Sequence, residues 1–283
     1  MSWAFRPGLD SLSLALSLSL PGGLFFSRVN RKRVLEDLGP RDREQTISIC
    51  LCFTIADRSG HLKSKLASLL PDVLSLFEGA AALVTKETHP EIVTILDGLD
   101  VEMARAASDF HHIGMHRRRS VELGLQMSTS DHFLYLDIDH LLRWFENERD
   151  ELEAILSRLP RADLTVIGRG SEAFASLPAR LSSTESIVNR IYGLVTGNEW
   201  DLLMAARGIS RGAAELIVNT STVDHIGNDL DWPLLCRSQG MSLLYETANG
   251  LTYKTNEDYA NGMADSQDSD PQAWAERIEI AAL

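Results

Sequence analysis

From Ile47 onward the chain alternates short apolar runs with stretches of helical periodicity, and this alternation limits the fold more than any other feature. Ile47 to Ile55 (ISICLCFTI) is apolar and rich in β-branched residues, the pattern of a strand buried on both faces. Further strands are expected at Ala80 to Val84, weakly from Val101 to Met103 toward Phe110, at Phe133 to Leu136, at Leu164 to Ile167 and at Ser242 to Tyr245. Helices are expected at Leu62 to Leu76, broken or restarted at Pro71, and at Pro90 to Leu96, with proline in its first turn. Others follow at Arg117 to Met127, Asn147 to Leu159, Ser183 to Val195 (capped by Ser183 or Thr184), Arg211 to Val218 and Leu230 to Gln239. Such alternation predicts an α/β fold: a mainly parallel sheet, helices on both faces, and ligands beyond the carboxyl ends of the strands.

The 283 residues suffice to bury a real core. We read one main domain over residues 46–255. Residues 1–45 are read as an N-terminal extension expected to be poorly ordered, and residues 256–283 as a solvated acidic tail with a short helix from Pro271. The extension carries Leu12 to Leu20 (LSLALSLSL), which reads as a leader or an over-extended start, and a basic cluster from Arg28 to Arg33. No apolar run reaches the ~18 residues of a transmembrane segment.

The net charge of −13 speaks against a nucleic-acid backbone as partner, since phosphate chains are held by clustered Lys and Arg. It is compatible with a nucleotide, because a divalent cation can hold a diphosphate between carboxylates. Cys50, Cys52 and Cys236 form neither a disulfide framework nor a zinc pattern. Buried thiols and a reducing compartment, the cytoplasm, are expected.

The sharpest local signal is Phe133 to Phe145 (FLYLDIDHLLRWF), an apolar strand running into Asp137 and Asp139. Two carboxylates at a strand end repel one another unless a cation such as Mg²⁺ or Mn²⁺ joins them. The plainer alternative is that Asp137 caps the next helix and Asp139 is merely exposed.

Strand-Asp-x-Asp after about ninety residues of α/β pattern resembles the metal motif of GT-A glycosyltransferases. The segment from Ile113 through Gly114 and Arg117-Arg118-Arg119 to Gln126 resembles what precedes that motif in the inverting family 2. Asn228-Asp229, ahead of Leu230 to Gly240, resembles that family's Glu-Asp pair, with Asn in place of the first acid. Trp200 to Val218 resembles its acceptor-side segment.

The resemblance runs from Ile47 to Tyr253 and implies a single GT-A-like domain with nucleotide-sugar glycosyltransferase activity, divalent-metal dependent and inverting. It implies Asp137 and Asp139 as metal ligands with Mn²⁺ or Mg²⁺, His225 as a further ligand, and Gly114, Arg117 and Arg118 at the diphosphate. Asp229 would be the general base acting on a hydroxyl acceptor. The family's Pro and Asn after the first strand are replaced by Thr54-Ile55-Ala56-Asp57, which leaves the donor base unassigned. Two competing readings are a GT-A-like nucleotide-binding protein without turnover, and a haloacid-dehalogenase-like phosphatase, which also uses Asp-x-Asp after a strand. The phosphatases continue with Gly, Thr and Leu on the first strand, whereas here His140-Leu141-Leu142 follows a later one.

Overall fold

The structure, a computed structural model, describes residues 48–253 and 266–283. The extension 1–45, with its LSLALSLSL run and basic cluster, lies outside the described residues, as do residues 254–265.

The strands are β1 (Ile49–Ile55), β2 (Gly79–Thr85), β3 (Glu102–Ala106), β4 (His132–Tyr135), β5 (Leu164–Arg169), β6 (Ala206–Ser210) and β7 (Leu243–Ala248). They form one sheet in the order β3-β2-β1-β4-β6-β5-β7. Every pairing is parallel except those of β6, which runs against both β4 and β5. The α/β class and the mainly parallel sheet are as expected. β6 is the strand that sequence reading did not place.

The helices are α1 (Lys63–Leu74), α2 (Pro90–Gly98), α3 (Ile113–Met127), α4 (Ile138–Asn147), α5 (Arg149–Leu156), α6 (Ser171–Ala175), α7 (Ala179–Thr196), α8 (Arg211–Thr220), α9 (Asn228–Ser238) and α10 (Pro271–Ala281). β1 shows why both faces are covered. Ile49, Leu51, Phe53 and Ile55 pack on one side with Leu66 of α1, Ile92 of α2, Leu141 of α4 and Leu152 of α5. Cys50 and Cys52 face the other side, with Val121 of α3, Ala213 of α8 and Trp232 of α9. All three cysteines are free and buried. Among the described residues no helix is long and apolar enough to cross a membrane.

α4 and α6 are not among the expected helices, and two that are expected differ for identifiable reasons. α1 runs unbroken through Pro71. The carbonyl deprived of its donor belongs to Ala67, on the exposed side where water can serve it, so the helix need not stop. α7 begins at Ala179 rather than at Ser183 or Thr184. Its first N–H groups, on Ala179 and Arg180, are taken by the Asp268 carboxylate at 2.7 and 3.2 Å, a cap supplied from far along the chain. The described part of the acidic tail, exposed or half-buried throughout, makes contacts with α7 and its own turn: Trp274 Nε1 donates to the Asp268 carbonyl, and Arg277 of α10 pairs with Glu185 of α7 at 2.5 Å.

Candidate functional site

The order of the sheet reverses between β1 and β4. The chain moves outward from β1 to β2 and β3, then returns to the other flank of β1. Connections that diverge in this way leave a crevice above the strand ends. A cleft of about 470 Å³ lies there, lined by Thr54 at the end of β1 and Asp57 beyond it, and by Asp137, Asp139 and Arg143 after β4. Both aspartates of the pair open on it, at unequal depth: the side chains are 18% and 40% exposed.

Asp137 is held by three donors. Its Oδ1 accepts from Thr54 Oγ1 at 2.6 Å and Tyr135 OH at 2.5 Å, and its Oδ2 accepts from Arg117 Nη2 at 3.0 Å. Burial alone would raise this carboxyl. The Arg117 guanidinium, aided by the two hydroxyls, outweighs burial and brings it down to about 2. Asp137 stands at the N-cap position of α4 but makes no side-chain cap, so capping does not explain it. Asp139, in the first turn of α4, accepts from Arg143 one turn later at 3.0 Å through Oδ2. Its Oδ1 makes no hydrogen bond among the described residues.

The arginine triplet splits three ways, because successive helical residues point about 100° apart. Arg117 is 4% exposed and lies between two acids: Nη2 meets Asp137, and Nη1 donates to Asp229 Oδ1 at 2.9 Å and to Asn228 Oδ1 at 3.1 Å. Arg118 donates to the Val223 carbonyl and to Asp224 at 2.6 Å, which fastens the segment before α9. Arg119 pairs with Glu122 on the surface. Gly114 is buried against the same segment. A Cβ there would collide with the His225 carbonyl oxygen and stand 2.8 Å from that of Val223, both backbone atoms that cannot yield cheaply. Gly114→Ala should therefore push residues 223–225 away from α3 and lower stability by about 1–3 kcal/mol. A melting temperature equal to wild type would show that the segment is slack.

Asp229 is 2% exposed, in the first turn of α9. Burial pushes its carboxyl up despite Arg117 and Arg207, and its Oδ2 has no partner. His225 is not brought to the aspartates; its Nδ1 accepts the Gly227 N–H at 3.1 Å. Among the described residues no three His, Cys, Asp or Glu side chains gather into a metal-holding group. The structure thus joins Asp137, Arg117 and Asp229, sets Asp139 beside them at the cleft, and turns Gly114, Arg118 and His225 toward the 223–227 segment.

Sequence reading missed Thr54, Tyr135 and Arg143. The i,i+4 spacing of Asp139 and Arg143 on a helix was an available signal for the last. Thr54 reaches Asp137 only through the parallel pairing of β1 with β4, whereas Tyr135 stands two residues before it along the chain. Asp57, read with Thr54 as a departure from the family pattern, binds its own loop: it accepts the N–H groups of Gly60 and Leu62 at 2.9 and 2.8 Å.

No family model matches the sequence. No curated protein matches it. Solved structures do match in shape. Its structural neighbours are glucosyl-3-phosphoglycerate synthases. The enzyme of that name from Mycobacterium tuberculosis superposes with a TM-score of 0.48 at 12% identity, over 82% of this chain and 80% of that one. The same enzyme in complex with Mn²⁺, uridine diphosphate and glucosyl-3-phosphoglycerate gives 0.46 at 11% identity, with 82% and 80% covered. A further mycobacterial protein gives 0.43 at 13% identity, covering 75% of this chain and 69% of that one.

Proposed function

We propose that this protein is a GT-A-like glycosyltransferase that moves a sugar, with inversion, from a nucleotide donor to a hydroxyl acceptor with the help of Mn²⁺ or Mg²⁺. The observation that supports it is the placing of Asp137 and Asp139 on one open cleft at the point where the strand order reverses. Nucleotides are bound at such points in open α/β sheets.

The residues present fit an ion that arrives with its nucleotide. Mg²⁺ and its like are commonly held by one or two carboxylates plus phosphate oxygens and water, rather than by an all-protein cage. Asp139 offers a free Oδ1 to the cleft, and Asp137 stands behind it as a fixed anion oriented by Thr54, Tyr135 and Arg117. When bound, the ion would neutralise the leaving diphosphate. The chain's own part is to orient these acids and to present Arg143 at the mouth of the cleft. The acceptor oxygen forms its bond to the anomeric carbon as the sugar–phosphate bond breaks. The nucleoside diphosphate leaves with that electron pair, and the hydroxyl proton passes to Asp229.

One observation favours a second reading, nucleotide binding without turnover: Asp229 is closed to solvent behind Arg117. A thermal-shift panel of UDP-, GDP- and ADP-sugars with and without Mn²⁺, followed by a turnover assay, separates the two. Mn²⁺ alone should leave the melting temperature unchanged. Mn²⁺ with one nucleotide class at about 100 times its Kd should add about 2.7 kcal/mol of stability. Absence of any nucleotide-dependent shift would end both readings, and a shift without turnover would favour the second.

A further inference from the structure

Arg117 is the centre of a buried row of alternating charge. Asp137 lies on one side of it and Asp229 on the other, and Arg207 stands 3.9 Å beyond Asp229. Arg207 is itself buried in a strand, where it donates to the carbonyls of Leu202, Ala206 and Asp229. The Arg117 guanidinium lies 6.0 Å from the centre of the Tyr135 ring, which Trp232 meets edge-on at 5.8 Å. Both terminal nitrogens of Arg117 are therefore already engaged by the chain's own side chains, although its place in a basic triplet suggests a phosphate. What it does have is a rigid fork with separate prongs for two carboxylates, a geometry that a lysine ammonium cannot reproduce.

We propose that Arg117 is a positioning residue that fixes Asp137 at the donor cleft and Asp229 at the proton-accepting side through one guanidinium, so that neither acid can shift without the other. This rests on the glycosyltransferase reading above. A buried guanidinium that loses one acid keeps the other. An acid that loses the guanidinium keeps only weaker partners, the two hydroxyls for Asp137 and Arg207 at 3.9 Å for the buried Asp229, which is costly. The two acids thus depend on Arg117 and, through it, on each other.

The test has two arms. In the first, Arg117→Lys keeps the charge and loses the fork. Mn²⁺-dependent binding of whichever of UDP, GDP or ADP matches the class shifted in the thermal panel should weaken by less than about tenfold by calorimetry, while kcat falls at least about a hundredfold, the cost of an ångström-scale misplacement. A kcat unchanged per folded molecule would reduce Arg117 to a stabilising residue. A large rise in that nucleotide's Kd with kcat unchanged would make it a direct phosphate ligand. Either result overturns the proposal.

The second arm needs no substrate. Asp229→Asn should lower the melting temperature of the wild type and lower that of Arg117→Met by clearly less, since there Asp229 keeps only Arg207 at 3.9 Å. An equal decrease in both backgrounds would show that Arg117 does not hold Asp229 and would overturn the proposal. If the wild type turned over no nucleotide sugar, the functional reading would fall and the positioning role with it. The unequal decrease would then still report the charge bridge, so the two failures can be told apart.

Discussion

Asp139→Asn should lower kcat/KM for the nucleotide sugar by about a thousandfold, roughly 4 kcal/mol of transition-state stabilisation. It should also abolish the Mn²⁺-dependent part of the nucleotide thermal shift. The change is isosteric and falls on a side chain 40% exposed whose partner is the cleft residue Arg143. The fold should hardly notice it: surface pairs of this kind contribute about 0–1 kcal/mol. Loss of function without loss of stability is the signature. A variant that binds Mn²⁺ and nucleotide as the wild type does would remove the cation from the proposed chemistry.

The largest effect on stability is expected at Arg169→Met. Arg169 ends β5 and donates Nε to Asp201 at 2.7 Å and Nη2 to the same carboxylate at 2.9 Å, while Nη2 also meets Glu185 of α7. All three residues are buried. Removing the cation leaves two buried acids, with Arg277 to serve Glu185 and Asn189 to serve Asp201. Breaking a buried pair from one side costs about 3–5 kcal/mol. At about 2–4 °C per kcal/mol for a domain of this size, the melting temperature should drop by roughly 6–20 °C in calorimetry. A drop below about 3 °C would mean that the cluster relaxes or admits water.

The fold was legible where burial follows period. β1, β2, β4 and β5 are apolar runs because both of their faces are covered, and sequence reading located each of them. β6 was not legible. Its sequence is Ala206-Arg207-Gly208-Ile209-Ser210, and the middle of it looks like a loop. Arg207 is tolerated there because three carbonyls and Asp229 satisfy it. Gly208 is needed because the Leu159 side chain lies where a Cβ would be.

The site was half legible. Two acids after a strand announced themselves, but the role of Arg117 was hidden by Arg118 and Arg119. A helical wheel would have separated them, since Gly114, Arg117, Val121 and Gly124 fall on one buried stripe. The pairing of Arg117 with Asp229, far along the chain, is a product of tertiary packing that no local pattern carries.

The single reversed strand has a consequence for how such a scaffold can diversify. Because β6 runs backward, its first residues rather than Ser210 sit toward the ends of β4 and β5: Arg207 is opposite Tyr135 and Ala206 opposite Ile167. The segment leading into β6, residues 197–205, is thereby delivered to the same rim as Asp137 and Arg169. Had β6 been parallel, its exit loop would have come there instead. Lengthening or recomposing the entry segment would redraw one wall of the rim while the ladder between β4 and β6 kept its register, so substrate range could drift without any change in the paired strands that hold the acids.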